Sequence, residues 1–199
     1  DGISLYANYV EGLLQGEVVP AVVSGVQVRN VNEIFDPFKS KQYEIGAKYD
    51  GGSLGGTLAV FRINQPSTVL VGDVVKQDGE QRNQGIELSW YGRMFEKLNV
   101  LGGVTLLDAE NRRGDNPAND GKDVIGVPDL QANVGIEWSV WNDISIDGRV
   151  VYTSSQYAND ANTLELPSWT RLDLGARGDI NVGERQVTMR LRVDNVTDK

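Results

Sequence analysis

Within residues 41–49, Tyr43, Ile45, Ala47 and Tyr49 alternate with Gln42, Glu44, Gly46 and Lys48, and this alternation returns in segment after segment to the C-terminus. Side chains of a strand point to opposite faces with a period of two, so each such segment has one greasy and one charged face. In a soluble sandwich the greasy face would be a core of Leu, Ile, Val and Phe. Here Tyr and Trp bracket it, which is the pattern of a barrel wall facing lipid.

Segments of about ten residues, tilted, suit a membrane strand. Nine are expected, at 3–10, 41–49, 55–64, 82–91, 99–108, 131–140, 144–154, 170–177 and 186–195. The connections alternate in length. Long stretches fall at 11–40, 65–81, 109–130 and 155–169, with shorter links at 50–53, 92–98, 141–143 and 178–185. Long loops at one end and short turns at the other belong to an up-and-down membrane barrel with long extracellular loops and short periplasmic turns. The fold class expected is therefore all-β, an antiparallel transmembrane β-barrel segment of about nine strands.

The charges sort by face. Outward go Ile3, Leu5, Ala7 and Tyr9; Ala59, Phe61 and Ile63; Ile86, Leu88 and Trp90; Ala132, Val134, Ile136 and Trp138; and the apolar residues of the last three segments. Inward go Glu44, Lys48, Arg62, Glu87, Glu137, Asp147, Arg149, Arg171, Asp173, Arg177, Arg190, Arg192 and Asp194. An Arg or Lys on the lipid face costs about 2–4 kcal/mol at mid-bilayer, which gives the segregation its physical reason. In 99–108 the leucines and valines split across both faces and leave the register open. Tyr9, Tyr43 and Tyr152 lie toward the long loops, and Tyr49, Trp90 and Trp138 toward the short turns, as two aromatic girdles would.

Composition removes several classes of function. No run approaches the roughly 20 apolar residues of a spanning helix. The net charge of -9 over 199 residues, without a basic stripe, argues against nucleic acid. The absence of Cys and His removes disulfides, thiolate and imidazole metal sites, and Ser/His or Cys/His nucleophilic pairs. No enzyme activity is expected, and no catalytic residue is assigned. Residues 1–6 already read as a strand with no signal-peptide pattern before them, so either a signal was removed or the chain is a piece of a longer protein.

Four stretches carry a family resemblance: 37–49 (PFKSKQYEIGAKY), 83–88 (NQGIEL), 166–176 (LPSWTRLDLGA) and 193–199 (VDNVTDK). In order and spacing they resemble the C-terminal barrel of TonB-dependent siderophore receptors of the Gram-negative outer membrane. The resemblance implies a 22-stranded barrel filled by an N-terminal plug that imports ferric siderophores with energy passed on by TonB. On that reading residues 1–199 are a partial barrel domain, about strands thirteen to twenty-one, without plug or last strand. The implied partners are the ferric siderophore, outer-membrane lipid, and the TonB complex through the missing plug region. No cofactor is implied, because the iron arrives chelated. The alternative is a general porin or adhesin-like barrel without a plug.

In the resembled family, aromatic side chains of the outer vestibule hold the siderophore, which makes Phe35, Phe38, Tyr157 and Trp169 the ligand-binding candidates. The plainer reading is that they anchor loops or sit in the girdle. The acidic stretch 108–123 has oxygen ligands at a density that suits Ca²⁺, but it lacks the EF-hand order and carries Arg112 and Arg113, so a solvated loop is expected. Glu44, Glu87 and Glu137 read as ion-pair partners across the lumen wall.

Overall fold

The computed structural model describes residues 2–198, and Lys199, the last residue of the fourth motif, lies outside them. In chain order the strands are β1 (Gly2–Leu14), the short β2 (Val22–Val23) and β3 (Val26–Gln27), β4 (Phe38–Asp50), β5 (Leu54–Val71), β6 (Val74–Phe95), β7 (Leu98–Arg113), the short β8 (Lys122–Asp123), β9 (Leu130–Trp141), β10 (Ile144–Thr153), the short β11 (Gln156–Tyr157) and β12 (Glu165–Leu166), β13 (Trp169–Val182) and β14 (Arg185–Val193). The nine long strands form one antiparallel sheet in the order β1-β4-β5-β6-β7-β9-β10-β13-β14, with β8 added to β7. Each long strand pairs with the next long strand in sequence, so the sheet is an up-and-down wall. Each of the nine expected strands has its counterpart in this sheet; seven are longer than expected, while β10 and β14 end at Thr153 and Val193, short of the expected 154 and 195.

The largest difference is at 65–81, expected as a loop. There β5 and β6 keep pairing to Val71↔Val74, with only Gly72 and Asp73 at the tip. At 18 and 22 residues these strands far exceed the ~9–11 that cross a bilayer. Outside lipid a strand needs no greasy face, so the alternation stops while the backbone ladder continues. The links at 92–98 and 178–185 shrink likewise, to Glu96-Lys97 and Gly183-Glu184. Gly52 and Gly183 take φ of 73° and 63° in their turns, a region a side chain would strain.

Register fixes the faces. The Tyr43 face of β4 pairs with β1 as Ile3↔Tyr49, Leu5↔Ala47, Ala7↔Ile45 and Tyr9↔Tyr43. On the other side it pairs as Tyr43↔Arg62, Ile45↔Val60 and Ala47↔Leu58. The outward residues of β5 are therefore Leu58, Val60 and Arg62, while Ala59, Phe61 and Ile63 face inward with Glu44 and Lys48. This reverses the expected assignment. The strand is apolar at both parities, so alternation alone was blind, and the hydrogen-bond ladder decides.

Beyond β5 the outward set runs as expected through Ile86, Leu88 and Trp90, then Ala132 to Trp138, Ile146, Val150 and Tyr152, Leu172 to Ala176 and Val187 to Val193. The open register of 99–108 is settled by Leu88↔Val104 and Ile86↔Leu106, which put Val100, Gly102, Val104 and Leu106 outward and Leu101 and Leu107 inward. With no second layer packed on it, most of the outer face is exposed, Ile3 at 73% and Leu5 at 82%, while Val100 is buried. Such a surface in water would be a large apolar patch, whereas lipid satisfies it.

Candidate functional site

The connections at the long-loop end fold on one another. Residues 15–37 turn back so that Val19 and Val28 bury with Val75, with Val23, Phe35 and Leu70 packed around them. The Gly16 backbone passes so close to the Phe35 carbonyl that no Cβ fits between them. Asn30 continues the edge of β6 as a strand would: its Nδ2 donates to the Val75 carbonyl at 2.8 Å and its Oδ1 accepts from the Val75 N–H at 3.0 Å. Arg29 pairs with Asp73 at 2.7 Å, and Gln77 Nε2 donates to the Asp36 carbonyl at 2.6 Å.

The next connection joins this cluster through Asp115, which accepts from the Leu70 N–H at 2.5 Å. It is tied in turn to the following one. Asn162 accepts from the Asp123 N–H at 2.8 Å and donates to the Asp123 carbonyl at 3.1 Å, Lys122 Nζ donates to the Ala161 carbonyl at 2.8 Å, and the Gly126 N–H donates to the Tyr157 carbonyl at 2.9 Å. Asn162 does this at φ 52°, a region Asn tolerates better than most residues. Four connections thus form one continuous crown. The Asn30 and Asn162 contacts were beyond sequence reasoning, since Asn in such stretches signals a turn and says nothing about a partner 39 or 45 residues away.

Burial pushes the Asp123 carboxyl above the usual carboxylate range, and the neighbouring carboxylates Asp129, Asp108 and Glu110 push it further. A raised folded-state pKa means that the ionised form is disfavoured in the folded crown. The cost is present above the folded pKa and disappears as pH falls through it toward the unfolded value. Exchange protection of the Asp123 amide, corrected for intrinsic rate, is therefore expected to rise on acidification from neutral pH, and D123N should flatten that response. A wild-type profile without pH dependence would contradict this.

Among the described residues no three acidic side chains converge to hold a metal ion. The members of the 108–123 stretch take separate partners: Glu110 takes Arg112 at 2.9 Å and Arg82 at 3.9 Å, Asp120 takes the Gly114 N–H at 3.0 Å, and Asp115 takes Leu70.

The four aromatic candidates fall in different settings. Phe35 is half-buried against the Val19 cluster and Phe38 is buried at the start of β4. Tyr157, half-buried, lies in the β11–β12 ladder opposite Glu165. Trp169 opens β13 opposite Thr153 and is 40% exposed, on the inward face by register. Tyr157 and Trp169 thus border one connection, and Phe35 and Phe38 another.

The inner wall is polar. Lys48 Nζ sits 5.0 Å from the centre of the Tyr6 ring. A hollow of about 440 Å³ lies between Tyr6, Glu44, Glu87, Asn133 and Arg149. Higher on β13, Asp173 is fully buried, with Arg171 at 3.1 Å, Arg192 at 3.5 Å and the Asn195 N–H at 2.9 Å.

The outer wall changes character toward the crown. The Tyr9 and Tyr43 rings stand 5.0 Å apart. In the same row Arg62 Nε donates to Gln84 at 3.0 Å and Gln84 donates to Asp108 at 2.8 Å. Below run Ala7, Ile45, Val60, Ile86 and Leu106. Arg62 therefore sits beside the tyrosine pair, at the border where a charge costs little. Tyr49, Trp90, Trp138 and Tyr152 share this outward face.

Residues 1–196 match the family model described as TonB dependent receptor-like, beta-barrel. The chain is 40% identical over 201 residues to the ferrichrome receptor FcuA of Yersinia enterocolitica, covering 99% of this chain and 26% of that protein. It is 28% identical to the ferrichrome outer membrane transporter/phage receptor of Escherichia coli K12, covering 100% of this chain and 27% of that protein. Among solved structures, BauA, the ferric preacinetobactin receptor of Acinetobacter baumannii, matches with a TM-score of 0.87 and 40% identity, covering 99% of this chain and 30% of that one. The siderophore receptor PiuA of the same species gives a TM-score of 0.84 at 25% identity. The chain thus spans about a quarter of the length of the curated relatives it matches.

Proposed function

Because the chain belongs to the TonB-dependent receptor-like β-barrel family of the Gram-negative outer membrane, we propose that it forms part of the barrel wall of a receptor importing ferric siderophores, driven through TonB. Members of this family are transporters, and the chemistry of the wall agrees with that role. It has a greasy outer face and a polar inner face. The observation that carries the reading is the register, which puts one apolar row after another on the same face across nine strands. β1 and β14 each keep one open edge among the described residues. Unpaired backbone groups in hydrocarbon cost several kcal/mol each, so on this reading further strands of a partial barrel domain close the wall.

The iron arrives held by the siderophore's own chelating groups, so this chain need supply only shape and polar contacts. Trp169, inward-facing and exposed at the top of β13, and Tyr157 on the adjoining loop are the side chains best placed to meet it. The test uses the intact receptor with ferrichrome, ferrioxamine B and ferric preacinetobactin as probes, read by fluorescence quenching and by iron uptake in cells lacking the gene. One of the three is expected to bind and to restore uptake. W169A should weaken that binding by about tenfold, as loss of an aromatic anchor does. Binding and uptake of none, with steady leakage of unrelated solutes of similar size, would favour an open porin instead.

A further inference from the structure

On the inner face toward the short turns, a hollow of about 470 Å³ is lined by four arginines, Arg149, Arg177, Arg190 and Arg192, against two carboxylates, Glu137 and Asp147. In a chain of net charge -9 this is a local inversion of sign. Arg177 and Arg190 stand directly opposite each other in the β13–β14 ladder. Like charges so placed repel, and nothing in strand packing requires the arrangement.

The available carboxylates offset it only in part, through Asp179, which lies in the field of both Arg177 and Arg190. Asp179 takes one side of Arg177 at 2.9 Å and also accepts from Thr188. Arg192 is shared among Asp194, Asp173 and Asp147 at 2.7, 3.5 and 3.8 Å. Among the described residues Arg149 and Arg190 have no carboxylate within 4.0 Å. Arg177 Nε is shielded from solvent and donates to nothing. The hollow therefore sets four guanidinium groups against two carboxylates, and guanidinium groups are the donors that an oxyanion accepts from bidentately.

We propose that this hollow is an anion seat whose ligand is a carboxylate or phosphate group, held chiefly between Arg177 and Arg190. Two sources share that chemistry, a free anion in the lumen and a carboxylate elsewhere in the intact receptor. The seat requires only that this face line the lumen, and it stands whether or not the cargo is a ferric siderophore.

The test titrates inorganic phosphate into the intact purified receptor at constant ionic strength and follows the thermal midpoint. If the ligand is a free anion, phosphate raises the midpoint saturably, R190Q weakens the apparent Kd about tenfold, and R190K stays within about threefold. If the ligand is a resident carboxylate, phosphate has no effect on the wild type, while R190Q lowers the midpoint and R190K restores it. R149Q should act in the same direction with a smaller effect. A midpoint indifferent to phosphate and to R190Q, or a phosphate response that R190Q leaves unchanged, overturns the seat. Loss of siderophore uptake with the phosphate response intact would count only against the transport reading.

Discussion

Leu88→Arg is expected to destabilise the receptor in lipid by about 2–4 kcal/mol, the cost of a lipid-facing arginine near mid-bilayer. Leu88 lies opposite Leu58 on one side and Val104 on the other, with Ile86 and Trp90 on the same face of its own strand. These apolar neighbours leave the guanidinium no acceptor, and the rows above and below put it too deep to snorkel cheaply. Reversible urea unfolding of the intact receptor in phospholipid vesicles measures the effect. Val60→Arg should cost about as much, because Val60 shares that face, whereas Phe61→Arg, turned inward between Glu44 and Gly85 at nearly the same depth, should cost less. Equal losses at Val60 and Phe61, or a larger one at Phe61, would contradict the observed register of β5.

That pair of variants also marks how far the alternation can be read. In β4 the polar residues Gln42, Glu44 and Lys48 fall at one parity and Tyr43, Ile45 and Ala47 at the other, so the face is legible from residue type alone. In β5 the run Leu58-Ala59-Val60-Phe61 is apolar at both parities, and the general rule that charges avoid lipid assigns Arg62 to the wrong side. The rule fails there because Arg62 lies at the level of Tyr9 and Tyr43, where the penalty fades, and because Gln84 accepts from it. In β7 the same ambiguity at Val100 and Leu101 leaves the register open until β6 and β9 fix it.

The crown was less legible for a different reason. Its contacts join residues far apart in sequence, such as Asn30 with Val75, and turn-forming composition does not encode the partner. Strand pairing beyond the membrane was equally hidden, since Gln77 and Gln81 belong to strands that face water on both sides and need no alternation. In the sequence Phe35 and Phe38 read as aromatic residues near the rim. Their burial in the cap and at the start of β4 is a property of the tertiary fold, whereas Trp169 follows from strand parity alone.

Asp173→Asn should free the chain beyond β14. The Asp173 carboxylate is the meeting point of three segments: Arg171 two residues away on β13, Arg192 on β14, and the backbone N–H of Asn195 just past the strand. Asn195 holds φ at 54° there, and the Val196 N–H donates to the Leu172 carbonyl at 2.8 Å, so the exit of β14 is bent back over β13. An amide in place of the carboxylate removes the charge facing both guanidinium groups and turns one acceptor into a donor, which Arg171 and Arg192 repel. Backbone exchange of Asn195 and Val196 in the intact receptor is therefore expected to speed up by about tenfold or more, a local opening that leaves β4 to β6 protected. Arg192→Gln should have a smaller effect, because Arg171 still faces Asp173 after Arg192 is gone. Unchanged exchange in D173N, or loosening spread evenly over the sheet, would show that the carboxylate does not pin this exit. The same geometry explains why a fully buried acid in this wall needs no catalytic role. Its acceptor capacity is spent holding two strands and a chain exit together.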